Sequence, residues 1–161
     1  MPVLGAIMED VVFLPAGAAD LPAVRSLLER CELPTEDLTS ATTAYLVQAR
    51  AGNAMVGTVG LEIFGEVALL RSLAVAPERR GRGLGGDLWM RILDEASRRQ
   101  VRRLYLLTTT AERWFARLGF QPVGRDSVPD PIRGTTEFAL LCPTTAAVMA
   151  MDVAASDQRV L

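Results

Sequence analysis

The sequence predicts an α/β fold: a sheet that opens as an antiparallel meander, with helices on its flanks. Three observations carry this. Runs rich in β-branched and apolar residues stand between turn residues. Two stretches place apolar residues at helical spacing. Between them, Leu69 to Arg99 reads as strand, proline breaker, Arg/Gly cluster and amphipathic helix.

The elements follow in order. A first strand, Val11 to Leu14, ends at Pro15-Ala16-Gly17. Asp20 and Pro22 suit a helix start, and Leu21, Val24, Leu27, Leu28 and Cys31 recur at helical spacing until Pro34. Thr43 to Ala49, the turn Ala51-Gly52-Asn53, Met55 to Ile63, Gly65 and Val67 to Val75 form the meander. Alternation on its last strand puts Leu69, Arg71, Leu73 and Val75 on one face, unless a bulge shifts the register. The helix from Gly83 to about Gln100 carries Leu84, Leu88, Ile92 and Ala96, widened by Trp89 and Leu93. Its outer face offers the i,i+4 pairs Asp87 and Arg91, Asp94 and Arg98, Glu95 and Arg99. Arg103 to Thr108 is a further strand, and Thr110 is expected to cap a short helix that Gly119 ends. Phe120 to Val123 and Thr135 to Cys142 are expected as a closing pair of strands. The span Gly124 to Gly134 between them reads as a polar loop, and Ala146 to Met151 as a short apolar helix or strand. Residues 1–10 and the last ten are read as loose ends. The whole of 1–161 is expected to be one domain with its core at about 11–142.

Composition excludes several chemistries. The chain has no His and no Lys, so all seventeen basic residues are Arg. A histidine base, a His metal ligand and a Schiff-base lysine are therefore ruled out, and no metal is expected. The net charge of -2 argues against a nucleic-acid partner. No apolar run approaches membrane-spanning length and no leader pattern is visible, so the expectation is a cytoplasmic protein without a membrane. Cys31 and Cys142 form no C-x-x-C and are expected in the core.

The Arg/Gly cluster is the chemical signal. Gly81, Gly83, Gly85 and Gly86 allow a tight turn and close backbone approach, and the loop opens a helix whose first N–H groups lack internal partners. That is a seat for a pyrophosphate. A Walker loop would need lysine. Gly81-x-Gly83-x-x-Gly86 fits the dinucleotide pattern, but it does not start at the strand end, and no acid closes the next strand. Arg80-Gly81-Arg82-Gly83-Leu84-Gly85, preceded by Leu73-Ala74-Val75 and the spacer Ala76-Pro77-Glu78-Arg79, matches [Q/R]-x-x-G-x-[G/A].

On this motif the chain resembles the GNAT acetyltransferase superfamily, and the likeness covers about Val11 to Cys142. It implies a mixed, mostly antiparallel sheet with splayed central strands and acetyl-CoA as co-substrate. Leu73, Ala74 and Val75 would lie along the pantetheine, Arg80, Gly81, Arg82, Gly83, Leu84, Gly85 and Gly86 would hold the pyrophosphate, and Thr108 and Phe115 would complete the cofactor site. Ala111-Glu112-Arg113-Trp114-Phe115-Ala116-Arg117-Leu118-Gly119-Phe120 is similar to the family's A-x-x-F-Y-x-x-L-G-F. The segments G-L-E (60–62), L-L-R-S-L-A-V (69–75), L-Y-L-L-T-T-T-A (104–111) and L-C-P (141–143) resemble the N-acetyltransferases of arsenic-resistance operons. That likeness implies a small amine acceptor of the phosphinothricin or arsinothricin type. Arg71, Ser72 and Arg133, with Arg125, are then the candidates to hold it.

Where phosphinothricin acetyltransferases carry a carboxylate this chain has Leu70, and where the family commonly has a Tyr acid it has Phe115. The remaining catalytic candidates are Glu62, ranked first, and Glu137. The expected activity is acetyl transfer to a primary amine, with a homodimer compatible with it. The rival readings are an acyl-CoA-binding sensor without turnover and a protein-lysine acetyltransferase.

Overall fold

The computed structural model describes residues 10–39, 42–141 and 145–154. Seven strands form one sheet in the order β1-β2-β3-β4-β5-β7-β6. The residues group into two compact units: those up to Gly60 together with Ser72–Arg91, and Leu61–Arg71 together with those from Ile92 onward.

In the first unit, β1 (Val11–Pro15) runs antiparallel to β2 (Tyr45–Ala51), from Val11↔Ala51 to Pro15↔Val47. Helix α1 (Leu21–Arg30) buries Val24, Leu27 and Leu28, the face its spacing foretells. The strand β3 (Ala54–Phe64) is buried from Met55 to Leu61, and Gly57 in it permits a close approach by α2 (Leu84–Arg98). A Cβ at Gly57 would stand 2.7 Å from the Leu88 side chain.

In the second unit, β5 (Arg103–Thr108) pairs antiparallel with β7 (Ala147–Asp152) along its whole length, and β7 also carries the two-residue β6 (Gln121–Pro122). The strand β4 (Val67–Val75) joins β5 in parallel at Val67↔Arg103, Ala68↔Leu104 and Leu69↔Tyr105. There the ladder ends, although both strands run on. Helix α3 (Glu112–Leu118) closes on Gly119 in the left-handed region, as the sequence suggests. Leu69, Tyr105, Val128, Ile132, Val148 and Ala150 make one core cluster.

Several expectations are corrected. The closing strand at Thr135 to Cys142 is a π-helical turn over Glu137–Leu141, and Cys142 lies outside the described residues. Thr135 makes the turn: its hydroxyl donates to the Ile132 carbonyl (2.7 Å) and accepts the Phe138 N–H (3.2 Å). The partner of β6 is therefore β7. The expected polar loop at Gly124 to Gly134 holds a 3₁₀ turn (Arg125–Ser127) and the short helix α4 (Asp130–Arg133), and it buries Val128 and Ile132. The strand expected from Thr43 starts at Tyr45, because Thr43 bonds back to the Thr39 carbonyl through both N–H and hydroxyl. Asp20 makes no side-chain cap on α1. Its carboxylate accepts from Gly17 N–H (2.8 Å), Gln48 (3.0 Å) and Arg50 (3.2 Å). For α3 it is Thr108, not Thr110, whose hydroxyl accepts the Ala111 N–H (3.0 Å). On α2, Arg98 and Arg99 pair as expected with Asp94 and Glu95. Arg91 lies over the Phe13 ring, 4.3 Å from its centroid, and among the described residues makes no ion pair with Asp87. Cys31 is half-buried rather than core.

Candidate functional site

In the first unit the candidate site is the loop that opens α2. After β4, Ala76 N–H bonds the Val56 carbonyl (2.9 Å), and Pro77–Arg79 makes a single 3₁₀ turn. Proline suits that first position because its missing N–H has no partner to lose. Gly81 (φ 80) and Gly83 (φ 84) then take left-handed conformations that L side chains rarely adopt. A Cβ at Gly81, Gly83 or Gly86 would meet no protein atom within 4 Å, so space stands open over the loop. The first bond of α2 runs from Asp87 N–H to the Gly83 carbonyl (3.0 Å), which leaves the N–H groups of Leu84, Gly85 and Gly86 ahead of the ladder. Leu84 is buried and anchors the helix start. Arg80 and Arg82 are exposed.

Arg80 is partly tethered. Its Nε donates to the Val75 carbonyl (3.1 Å) and its Nη2 lies 3.4 Å from the Cys31 sulfur. The Cys31 thiol also reaches the Val75 carbonyl (3.6 Å), and Arg30 pairs with Glu78 in the 3₁₀ turn (2.5 Å). Glu78 is held below the usual carboxylate range, first by its own backbone N–H and then by Arg30. Orphan N–H groups, the positive end of a fifteen-residue helix and two exposed arginines together fit a pyrophosphate.

Upstream on β4, Ser72 carries φ 58, a left-handed conformation uncommon for a residue with a side chain. Thr58, fully buried, donates its hydroxyl to the Ser72 carbonyl (2.8 Å) and holds that backbone in place. The alternation expected along β4 breaks there, as at a β-bulge. Leu73 and Val75 are half-exposed and Ala74 is buried.

A separate group of candidate residues belongs to the other unit. Arg71, with only 1% of its side chain exposed, places Nη1 2.8 Å from Glu62 Oε1 and Nη2 3.6 Å from Glu137 Oε1. Three residues singled out in the sequence thus meet in one buried cluster, two carboxylates on one guanidinium. This arrangement was not foreseen. The signal for half of it was present: Glu62 and Arg71 lie on consecutive strands joined by the tight turn at Gly65, where diagonal cross-strand neighbours touch. Arg133 is exposed and, among the described residues, makes no ion pair. Arg125 lies over the Phe138 ring (5.3 Å) and donates to the Ala146 carbonyl (3.2 Å).

Thr108 accepts the Ala111 N–H and keeps its own proton to donate. Phe115 is 8% exposed, with Trp114 and Phe120 packed edge-on at 5.1 and 5.7 Å. Tyr105, a sequence-level candidate for protonating a leaving thiolate, is buried in the core cluster with its hydroxyl accepting from Arg103 (3.1 Å). Among the described residues no group of His, Cys, Asp and Glu gathers as a metal site, and no helix is long and apolar enough to cross a membrane.

Comparison with known proteins bears on the family and the fold. The model of the acetyltransferase (GNAT) family matches residues 18–120. The amino-acid acetyltransferase of Neisseria meningitidis serogroup A is 28% identical over 127 residues, 73% of this chain and 29% of that protein. That of Pseudomonas syringae pv. syringae is 40% identical over 60 residues, 37% of this chain and 14% of that protein. The chain thus spans under a third of the length of these relatives. Among solved structures, N-acetylglutamate synthase from Neisseria gonorrhoeae, complexed with coenzyme A and N-acetyl-glutamate, superposes with a TM-score of 0.79 at 21% identity, over 90% of this chain and 35% of that one. A Mycobacterium tuberculosis protein in complex with CoA gives 0.72 at 23% identity, over 89% of this chain and 99% of that one. At these identities the structural likeness is one of fold, and the family match, covering most of the chain, supplies the assignment: the chain belongs to the acetyltransferase (GNAT) family.

Proposed function

We propose that this chain moves the acetyl group of acetyl-CoA to the primary amine of a small amino-acid-like molecule. The observation that carries the reading is the Pro77–Gly86 connection, with left-handed Gly81 and Gly83 opening α2 under free space. Its N–H groups with Arg80 and Arg82 take the pyrophosphate, and the backbone of Leu73, Ala74 and Val75 follows the pantetheine. Thr108 and Phe115 are assigned to the cofactor by family resemblance. Acetyl-CoA supplies an activated thioester. The names of the curated relatives support an amino acid as acceptor.

An amino group is protonated near neutral pH and must lose a proton to attack. Glu62, tied to Arg71 through Oε1, has Oε2 available to receive that proton and pass it to water. A thiol has a pKa of roughly 8.5, so the departing sulfur needs no strong side-chain acid, and the Thr108 hydroxyl or water suffices. Phe115 in place of a tyrosine is compatible with turnover on this account.

A narrower acceptor of the phosphinothricin or arsinothricin type rests on the short segments 60–62, 69–75, 104–111 and 141–143. Such acceptors carry a side-chain acid, and Arg71, the first candidate to hold it, is already engaged by two carboxylates. Incubation with acetyl-CoA and a panel of amino acids and these analogues, followed by released CoA thiol, tests the proposal. Release that depends on an amino acid or analogue supports it. Tight acetyl-CoA binding without release would make the chain a sensor, and release only with lysine peptides a protein acetyltransferase.

A further inference from the structure

We propose that Thr58 is a positioning residue for the pantetheine arm of acetyl-CoA: from β3 it holds the Ser72–Leu73 peptide of β4 in the orientation that the arm meets. The inference rests on the acetyl-transfer reading, which lays the pantetheine along Leu73, Ala74 and Val75. Thr58 and Ser72 belong to the same unit, and Thr58 is fully buried while Ser72 and Leu73 are half-exposed. Solvent, and so a ligand, reaches Ser72 and Leu73, whereas Thr58 acts on it only through them.

A residue with a Cβ resists φ 58, so Ser72 keeps that conformation only where its surroundings impose it. The Thr58 hydroxyl, donating to the Ser72 carbonyl at 2.8 Å, supplies one such hold. A carbonyl and the N–H that follows it share one rigid trans peptide, so fixing the Ser72 oxygen also fixes the direction of the Leu73 N–H. Ser72 takes part in other interactions too, and the Thr58 bond adds the aim of its carbonyl. Threonine suits the task because branching at Cβ stiffens χ1 and so directs the hydroxyl. The alternation of β4 breaks at this peptide, and bulges of this kind re-aim a strand beside a functional site.

The test is calorimetric binding of acetyl-CoA to the wild type and to Thr58→Val, Thr58→Ser and Thr58→Cys, with a thermal melt of each, and to Thr58→Val again in a Ser72→Gly background. Thr58→Val keeps the shape and removes the donor, and is expected to weaken acetyl-CoA by about fivefold or more. Thr58→Ser keeps the donor and is expected to stay within about twofold of the wild type. Thr58→Cys, whose thiol donates weakly, is expected to fall between them, which keeps the order testable even where Thr58→Val does not fold. Glycine takes positive φ without strain, so against Ser72→Gly alone the Thr58→Val change is expected to cost less than about twofold. A Thr58→Val protein that melts earlier yet binds acetyl-CoA as the wild type does, a Thr58→Ser protein weaker than Thr58→Cys, or an undiminished loss in the glycine background would overturn the inference. Failure of the wild type to bind acetyl-CoA contradicts the acetyl-transfer reading and the inference with it, whereas intact wild-type binding that Thr58→Val leaves unchanged removes the role of Thr58 alone.

Discussion

Gly83 carries the cofactor loop on a single backbone conformation. At φ 84 a side chain is strained, yet a Cβ there meets no protein atom within 4 Å. Gly83→Val should therefore cost folding only the local strain, about 1–2 kcal/mol, while its branched Cβ enters the space above the loop. Acetyl-CoA affinity is expected to fall at least tenfold, about 1.4 kcal/mol, by calorimetry on a protein that still melts cooperatively. Asp20 shows a different residue-scale effect. Its pKa lies below the usual 3.8, chiefly through the Gly17 N–H, with Gln48 and Arg50 adding to it. A carboxylate with a lower pKa folded than unfolded contributes stability above the unfolded value, and that contribution is lost as pH falls through the folded value. Urea midpoints of the wild type should therefore drop below pH 3.8. Asp20→Asn, which cannot ionise, should be less stable at neutral pH and show a shallower acid limb.

The elements differ in how plainly they could be read. Helix α2 was legible because Leu84, Leu88, Ile92 and Ala96 repeat every four residues, and all four are buried. Its loop was legible because glycines and arginines at fixed spacing have few other uses. The segment from Thr135 was misread: Thr-Thr-Glu-Phe-Ala-Leu-Leu has strand-like content, and the Thr135 hydroxyl that closes a turn leaves no periodic trace. Val128 and Ile132 were missed as core because each stands alone among prolines and charges. Their burial gives a prediction: Ile132→Ala, in the cluster with Leu69 and Tyr105, should cost about 2–5 kcal/mol by urea denaturation, where a solvent loop would lose almost nothing. Helix α3 yields another. Phe115→Leu removes two edge-on aromatic contacts, about 0.5–1.5 kcal/mol each. Since Phe115 holds no proton, the pH dependence of turnover should keep its shape in this variant. A vanished limb would give the ring a catalytic part.

For the whole molecule, the net charge of -2 hides a separation of roles. Arg79, Arg80 and Arg82 crowd the turn before α2 in the first unit, and in the second two carboxylates, Glu62 and Glu137, lie against the Arg71 guanidinium. Glu62, Arg71 and Glu137 each stand out in the sequence as candidates, but the sharing of one buried arginine by two carboxylates does not, because a pairing that joins β4 to a turn about 66 residues later has no local pattern. The central claim is acetyl transfer to an amine, and mass spectrometry of the acceptor tests it most directly. After incubation of the protein with acetyl-CoA and a mixture of free amino acids, the account predicts a product heavier by one acetyl group on nitrogen, formed in step with released CoA and lowered at least tenfold with Gly83→Val at limiting acetyl-CoA. Acetyl-CoA bound tightly by the wild type, with every amine unchanged, would contradict it.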